Sequence, residues 1–537
     1  MLKTAQEIIQ RFEGLESDRS TWEATWQDVS EQIKGSREFL SRDVVQGRKR
    51  NTLIYDNTGV LSGDMLAAGL HNFLTNTATQ WYGMRSPDDR LMQIQSVTEW
   101  FDQVTRIMNA RIFNNARSRF VPTMHQNYTD LVFWCTSNMI VEEVPGIPVR
   151  FSSVPLSETF VAESASGIVD TVFRSYELTN RQAATEFGND TPKRIMDKVE
   201  KSPEAKTRFL HLVHRRDDPV AGSFTKSGMP WRSVHVSLES KEVIRESGFR
   251  ELPYMVSRWE VDTGETYGRG PGINAISECK MANTVSKTLI KATQKATDPP
   301  LLIADDGIIS PVNINPGGVM VVRSSSFSND PIRPLPDGGN LPIGNDFMER
   351  RQTQIRSTFM HDLLQLLQDP RMTATQVLEV SERAQSLIAP VLGRLQVELL
   401  EPMLTRCFGI LARRGEFPTP PLELQGTSVE IQYISPVQRA QMASEVRAIT
   451  NTLSVVAPLA ELRPDILDNI DFDAATREIA MNSGASPKIL RSKDMVMSIR
   501  QARAEQQAEQ QQRQDMALAA DVASKAAPLL GQQPQLQ

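Results

Sequence analysis

"YGRGPGINAISECKMANTVSKTLIKATQKATDPP", Tyr267 to Pro300, decides how this chain is read. Gly270 and Pro271 open a helix in the expected order, because proline at the first helical position gives up no needed N–H. Asp298-Pro299-Pro300 closes it, since a residue before proline is pushed out of the helical region. The spacing between predicts one helix over 271–296, about 26 residues and ~39 Å long. At roughly 100° per residue, Lys280, Lys287, Lys291 and Lys295 share an arc of about 80°, while Ile273, Ile276, Val285, Leu289 and Ile290 lie mostly elsewhere. Such a stripe is either a solvated face or a surface meant for an anion.

Residues 301–344 follow, rich in Pro, Gly, Asn and Ser around "LLIADDGII" and "GGVMVVRSS", and read as a small hairpin-rich excursion. Asp305 and Asp306 are adjacent carboxylates there, either turn residues or ligands for a divalent ion. A second helix is expected over 345–368, carrying Arg350, Arg351 and Arg356. Two long helices joined by a compact tip make a stalk and a knob. A stalk of this kind buries too little by itself, so it is expected to pack against further copies. "DPRM" at 369–372 breaks the pattern, and Arg371 within it is either a contact for DNA or a helix-terminal cation. Thr373, three residues before Gln376, has capping-box spacing and opens a helix expected to run to about 414, kinked at Pro390 and Pro402.

Upstream, Ile8, Ile9, Phe12, Leu15, Trp22, Trp26, Val29 and Ile33 recur at helical spacing over 4–34. Asp56, Asn57 and Thr58 signal another helix start. Helices are expected over 93–116 and 122–139. Residues 140–262 then alternate with period two between Pro and Gly punctuation, which predicts a sheet-bearing module with one helical interlude at "TNRQAATEFG". Downstream, "SVEIQYI" reads as a strand and 436–514 as helices, and the Gln-rich end, 515–537, as a frayed helix or a tail. The fold class expected is α+β, mostly α.

A chain of 537 residues supports two to four modules at about 150 residues each. Its net charge of −6 argues against a protein that coats nucleic acid, so any contact with DNA is local. Cys135, Cys279 and Cys407 are too few and too scattered for a disulfide framework or a zinc pattern. The N-terminus has no apolar signal region, and no run approaches 18 apolar residues.

Catalytic signatures are missing as well. No phosphate loop of the G-x-x-x-x-G-K-[ST] kind occurs, and "GRGPG" at 268–272 departs from the dinucleotide spacing and reads as a plain turn into a helix. His211 and His214 fall three apart in a strand pattern and so point to opposite faces; His71, His125, His235 and His361 stand alone. No G-x-S-x-G elbow is found. Trp22, Trp26 and Trp81 could stack on bases, though packing explains them better. No cofactor and no metal site are expected.

Three segments together resemble the head-to-tail connector, or portal, proteins of short-tailed bacteriophages. These are "YDNTGVLSGDMLAAGLHNFLTNTATQWYGM" at 55–84, "GETYGRGPGINAISECKMANTV" with "KATDPPLL" within 264–302, and "MTATQVLEVSERAQSLIAPVLGRLQVELLEPML" at 372–404. The resemblance covers most of residues 1 to about 500. It implies a non-enzymatic ring, usually of twelve copies, at one vertex of the viral head, made in the bacterial host cytoplasm and without membrane contact. Double-stranded DNA would pass along its axis during packaging and ejection. Its parts would be a wing (1–262), stem helices (263–300 and 345–368), a clip (301–344), a tunnel loop (369–373), a further wing segment (374–435) and a crown (436–514). Lys280, Lys287, Lys291, Lys295, Arg350, Arg351 and Arg356 would line the channel. Asp369, Pro370, Arg371 and Met372 would form the tunnel loop, and Asp305, Asp306, Arg323 and Arg333 would belong to the clip. Implied partners are the terminase large subunit, tail adaptor and nozzle proteins, and major capsid and scaffolding proteins. A DNA-processing enzyme and a scaffold or internal virion protein without a channel are the competing readings.

Overall fold

The computed structural model describes residues 4–35, 53–92, 94–216, 228–304, 313–322, 332–335, 341–362, 386, 388–424, 429–434, 436–463, 469–482, 489–491 and 493–526. It is mostly helical with small sheets, the α+β class expected. The chain divides into two compact units: Met1–Gly83, Thr105–Phe417 and Ile431–Val437 form the first, and Met84–Val104, Pro418–Glu430 and Gln438–Gln537 the second.

In the first unit, α1 (Ala5–Val29) starts at a capping box in which the Thr4 side chain accepts from Glu7 N–H and the Glu7 carboxylate from Thr4 N–H. It ends in a single π-turn, Ser30–Lys34, closed by Gly35 in the left-handed region. Asp56 Oδ1 accepts from Thr58 N–H at 2.8 Å and so starts α2 (Thr58–Leu74). β1 (Tyr82–Arg85) and α3 (Gln95–Met108) each have residues in both units, and α4 (Phe120–Trp134), most of whose side chains are buried, follows in the first. The sequence pattern carried this helix to 139. It stops at Cys135, whose φ of 60° turns the chain, and Thr136–Val144 becomes β2, paired on both sides.

The sheet region holds β2, β3 (Ile147–Val154), β4 (Thr159–Glu163), β5 (Val169–Thr179), β6 (Lys206–Arg215), β7 (Trp231–Ser237), β8 (Glu242–Phe249) and β9 (Tyr254–Arg258). One sheet has the order β3-β2-β9 and the other is a meander, β4-β5-β6-β7-β8, antiparallel throughout. Alternation along β6 sets its two faces. Leu210 and Leu212 point to Ile8, Ile9 and Phe12 of α1, while Phe209 packs with Phe187 and Ile195 on the other side. Those last two belong to α5 (Asn180–Phe187), which Thr179 caps, and to α6 (Lys193–Lys201). The second of these helices escaped the sequence reading because Ile195 is its only buried residue.

Two helices then bracket a small sheet: α7 (Ile276–Thr297), entered through a turn at Pro271–Asn274, and α8 (Leu341–Thr358). Between them β10 (Leu301–Ala304) pairs in parallel with β11 (Val319–Val322) and antiparallel with β12 (Ile332–Pro334). The expected hairpin of the two apolar runs is therefore a crossover pair, which a 14-residue connection permits where a tight turn does not. The second stalk helix begins at Leu341 rather than 345 and is interrupted at Phe359 and Met360; residues 363–368 of the expected span lie outside the described residues. Phe359 is fully buried against Phe133, ring centroids 6.2 Å apart, and Met360 adopts φ 54°. Burial of that ring outweighs helix continuation.

A further π-turn, Gln396–Leu400, runs into α9 (Glu401–Arg413), with Pro402 in its first turn. β13 (Glu430–Tyr433) forms a two-stranded sheet with β1. In the second unit lie α10 (Pro436–Leu462, continued from the first), α11 (Phe472–Asn482) and α12 (Lys493–Ala526). The last extends the expected helical end from 514 to Ala526. Trp100 Nε1 donates to the Pro418 carbonyl at 3.0 Å, and Arg500 grips Asp473 with two bonds of 2.6 Å.

Candidate nucleic-acid interface

The stalk is rooted before it projects. Gly272 sits where a Cβ would lie 2.0 Å from the Phe133 carbonyl oxygen, so "GRGPG" is a close backbone crossing at the end of α4. That is the packing role of a turn rather than a phosphate cradle. On α7, Cys279, Ala282 and Asn283 are buried. The Asn283 amide is the anchor: Oδ1 accepts from the N–H groups of Tyr55 (2.9 Å) and Asp56 (3.1 Å), and Nδ2 donates to the Gln32 carbonyl (3.0 Å). Asparagine is a poor mid-helix residue, and that mismatch is the one mark this role leaves in the sequence. Arg351 of α8 holds Glu278 of α7 at 2.9 Å, and Gln352 Nε2 donates to Asp56 Oδ2 at 2.6 Å.

Beyond Asn283 no residue of α7 is fully buried. The hydroxyls of Thr284, Thr288 and Thr297 donate back to carbonyls four residues earlier, so these side chains lie flat on the helix. Gly344 lets α8 approach closely here, since a Cβ would stand 2.5 Å from Leu289 Cδ2.

The four lysines do not share one environment. Lys280 Nζ is paired with Asp28 Oδ2 of α1 at 2.8 Å, so it fastens the root of the stalk. Lys287 sits 5.4 Å from the centroid of the Tyr55 ring. Lys291 and Lys295 have no ion pair or hydrogen bond among the described residues, and Lys291 is exposed. Of the arginines, Arg351 is engaged with Glu278, and Arg350 pairs along its own helix with Asp346 at 2.9 Å, both well exposed. Arg356 is half-buried near the end of α8. Arg333 lies on β12 opposite Leu302. Asp305, Asp306, Arg323 and all of 369–372, with the capping box at Thr373, lie outside the described residues.

The stalk thus offers Lys287, Lys291 and Lys295 over about 12 Å of helix. Cations this sparse offset phosphate charge without gripping it, and aliphatic ammonium groups carry no base-edge code.

Other features singled out in the sequence have structural work. Trp26 and Trp81 are buried; Trp22 and Trp26 pack with Tyr267. His211 stacks on His235 at 4.0 Å and bonds Tyr254 Oη (2.7 Å) and Ser233 Oγ (2.9 Å). Cys135, Cys279 and Cys407 are buried free thiols; burial pushes the first two up to about 12. Among the described residues no group of three or more His, Cys, Asp or Glu side chains is placed to hold a metal, and no helix is long and apolar enough to cross a membrane.

One cluster was invisible in the sequence. Arg258, fully buried on β9, bonds Glu398 through Nη2 at 2.7 Å and through Nε, and its Nη1 reaches Glu163 and the Thr266 carbonyl. Glu398 stands in the π-turn ahead of α9 and also takes Arg394 at 3.2 Å. Three segments remote in sequence meet there, and no spacing rule links them.

A family model for the bacteriophage head to tail connecting protein matches residues 5–490. The chain belongs to that family. This connecting protein is 31% identical over 519 residues to the portal protein of Salmonella phage epsilon15, covering 94% of this chain and 92% of that one. It is 27% identical over 538 residues to a probable portal protein of Bordetella phage BPP-1, covering 96% and 94%. The match takes in the stalk, both sheets and much of the second unit, so the connecting protein's cationic helix lies inside the family's common region.

Proposed function

We propose that this connecting protein assembles as a ring, usually of twelve copies in the portal proteins it resembles, at one vertex of the capsid, and that DNA passes through it. The observation that carries this reading is the stalk. Its root is tied down by Asn283, Lys280 and Arg351, while its free length presents Lys287 beside the Tyr55 ring and Lys291 and Lys295 with no ion pair among the described residues, on a chain of net charge −6. An acidic ring with a thin cationic lining lets a duplex slide, whereas a strongly basic bore would hold it by counterion release. Lys287, Lys291 and Arg356 are the lining groups. Arg350 contributes where Asp346 leaves it charge to spare, and Lys280 and Arg351 act as braces. The small sheet of β10–β12, with Arg333, takes the clip role toward the terminase and later the tail adaptor and nozzle proteins. Residues 369–372 take the tunnel-loop role, and the outer elements face capsid and scaffolding proteins in the virion.

The test is a Lys287→Glu/Lys291→Glu connecting protein supplied to capsid assembly. Rings should form normally while packaged DNA per head falls several-fold. Heads filled to the normal level would reject the channel assignment.

A further inference from the structure

The stalk hairpin has two unlike faces, and they match each other. On α7, Ser286, Leu289, Ile290, Thr293, Gln294 and Thr297 line a groove that Asp298 and Pro316 close at its lower end. Apart from Gln294 its helix side chains are short or apolar, and Ile290 is 44% exposed. On α8, Ile343 is 65% and Phe347 40% exposed, one turn apart. Ile343 and Phe347 form a partly exposed apolar ridge, with the Arg351 guanidinium 4.9 Å from the centroid of the Phe347 ring.

Two geometric facts tie ridge to groove. First, Gly344 packs on Leu289, so in an antiparallel hairpin Ile343 stands level with Ile290 and Phe347 level with Ser286. Second, turning about 100° per residue from the contact between the helices sets the groove on one side of the hairpin and the ridge on the other. A ring is generated by pure rotation, with no shift along its axis, so the two patches of a head-to-tail contact must lie on opposite sides at the same height. The ridge of one copy then enters the groove of the next as side-chain rows do between packed helices. Charge agrees: Lys295 stands on the ridge side, and the Asp298 carboxylate lines the groove at the same end of the stalk.

We infer that a second copy of this chain docks through Ile343 and Phe347 into the groove at Ser286, Ile290 and Thr293, with Lys295 meeting Asp298 across the joint. This rests on the ring reading above and names the surface that closes the stalk. It also separates Lys295, at the joint, from Lys287 and Lys291, which remain for the bore.

The test is the full chain carrying Ile290→Cys and Ile343→Cys, mildly oxidised and run on a denaturing gel without reductant. The native thiols are buried, and opposite sides of the hairpin are too far apart to bridge within one chain. A ladder of dimers, trimers and higher species is expected, with neither single variant giving one. Bands stopping at dimer, or rings visible by electron microscopy without any ladder, overturn the inference and leave the ring intact. Absence of rings from the unsubstituted chain overturns the ring reading and the inference together. As a second variant, Phe347→Asp should cut the ring fraction at least tenfold at equal concentration; an unchanged fraction contradicts the inference.

Discussion

Single residues fix how the molecule is held together, and several do so through their partners rather than their type. Arg258 is buried with two carboxylates and two carbonyls around it. Removing one partner of a buried pair strands the other. Arg258→Met should therefore cost roughly 3 kcal/mol, read as a fall in thermal unfolding temperature, and adding Glu398→Leu should recover part of that loss. Gly272→Ala forces a Cβ into the Phe133 carbonyl oxygen and should abolish soluble protein, whereas Gly344→Ala meets only the movable end of Leu289 and should yield folded chain. Circular dichroism and solubility distinguish the two. His211 and His235 give a pH response. Burial lowers both, and for His235, with Arg245 and Arg174 nearby, the value falls from 6.5 to about 4. A lowered histidine binds fewer protons folded than unfolded. Its contribution to stability is thus complete above pH 6.5, declines as pH falls, and levels off below about 4. Unfolding temperature should drop across that window, with a shallower slope in His235→Gln.

At the scale of elements, the helices rich in periodic apolar residues were legible, and their ends were less so. The capping box at Thr179 and the proline at 271 mark starts through local chemistry, which a sequence displays. The stop at Cys135 and the break at Phe359 answer to tertiary contacts, to β9 pairing with β2 and to Phe133 respectively, which a sequence does not display. Parallel pairing of β10 with β11 is hidden for the same reason: two apolar runs carry no sign of their mutual direction. The lysine stripe was visible as a pattern, yet its division into a brace at Lys280 and free cations further down depended on Asp28, 252 residues away. Met360 offers a check at this scale. Its left-handed backbone costs a non-glycine residue about 1 kcal/mol, so Met360→Gly should raise stability by up to that amount in thermal unfolding. Lowered stability would mean that its side chain holds the end of α8.

For the whole molecule, the proposed ring rests on one physical relation: a stalk too thin to bury its own faces would be completed by copies of itself, and the completed wall would enclose a bore with few positive charges. Family membership gives the setting, head and tail of a phage joined by a connecting protein. In the proposed ring the groove and ridge give the joint, and Lys287 and Lys291 the lining. A DNA-processing enzyme or a channel-free scaffold would need neither a self-complementary stalk nor a sparse lysine face along it. Electron microscopy of the purified chain tests this most directly. The account predicts annular particles with a central hole wide enough for a duplex, about 20 Å or more across, and monomers, filaments or solid particles without an aperture would contradict it.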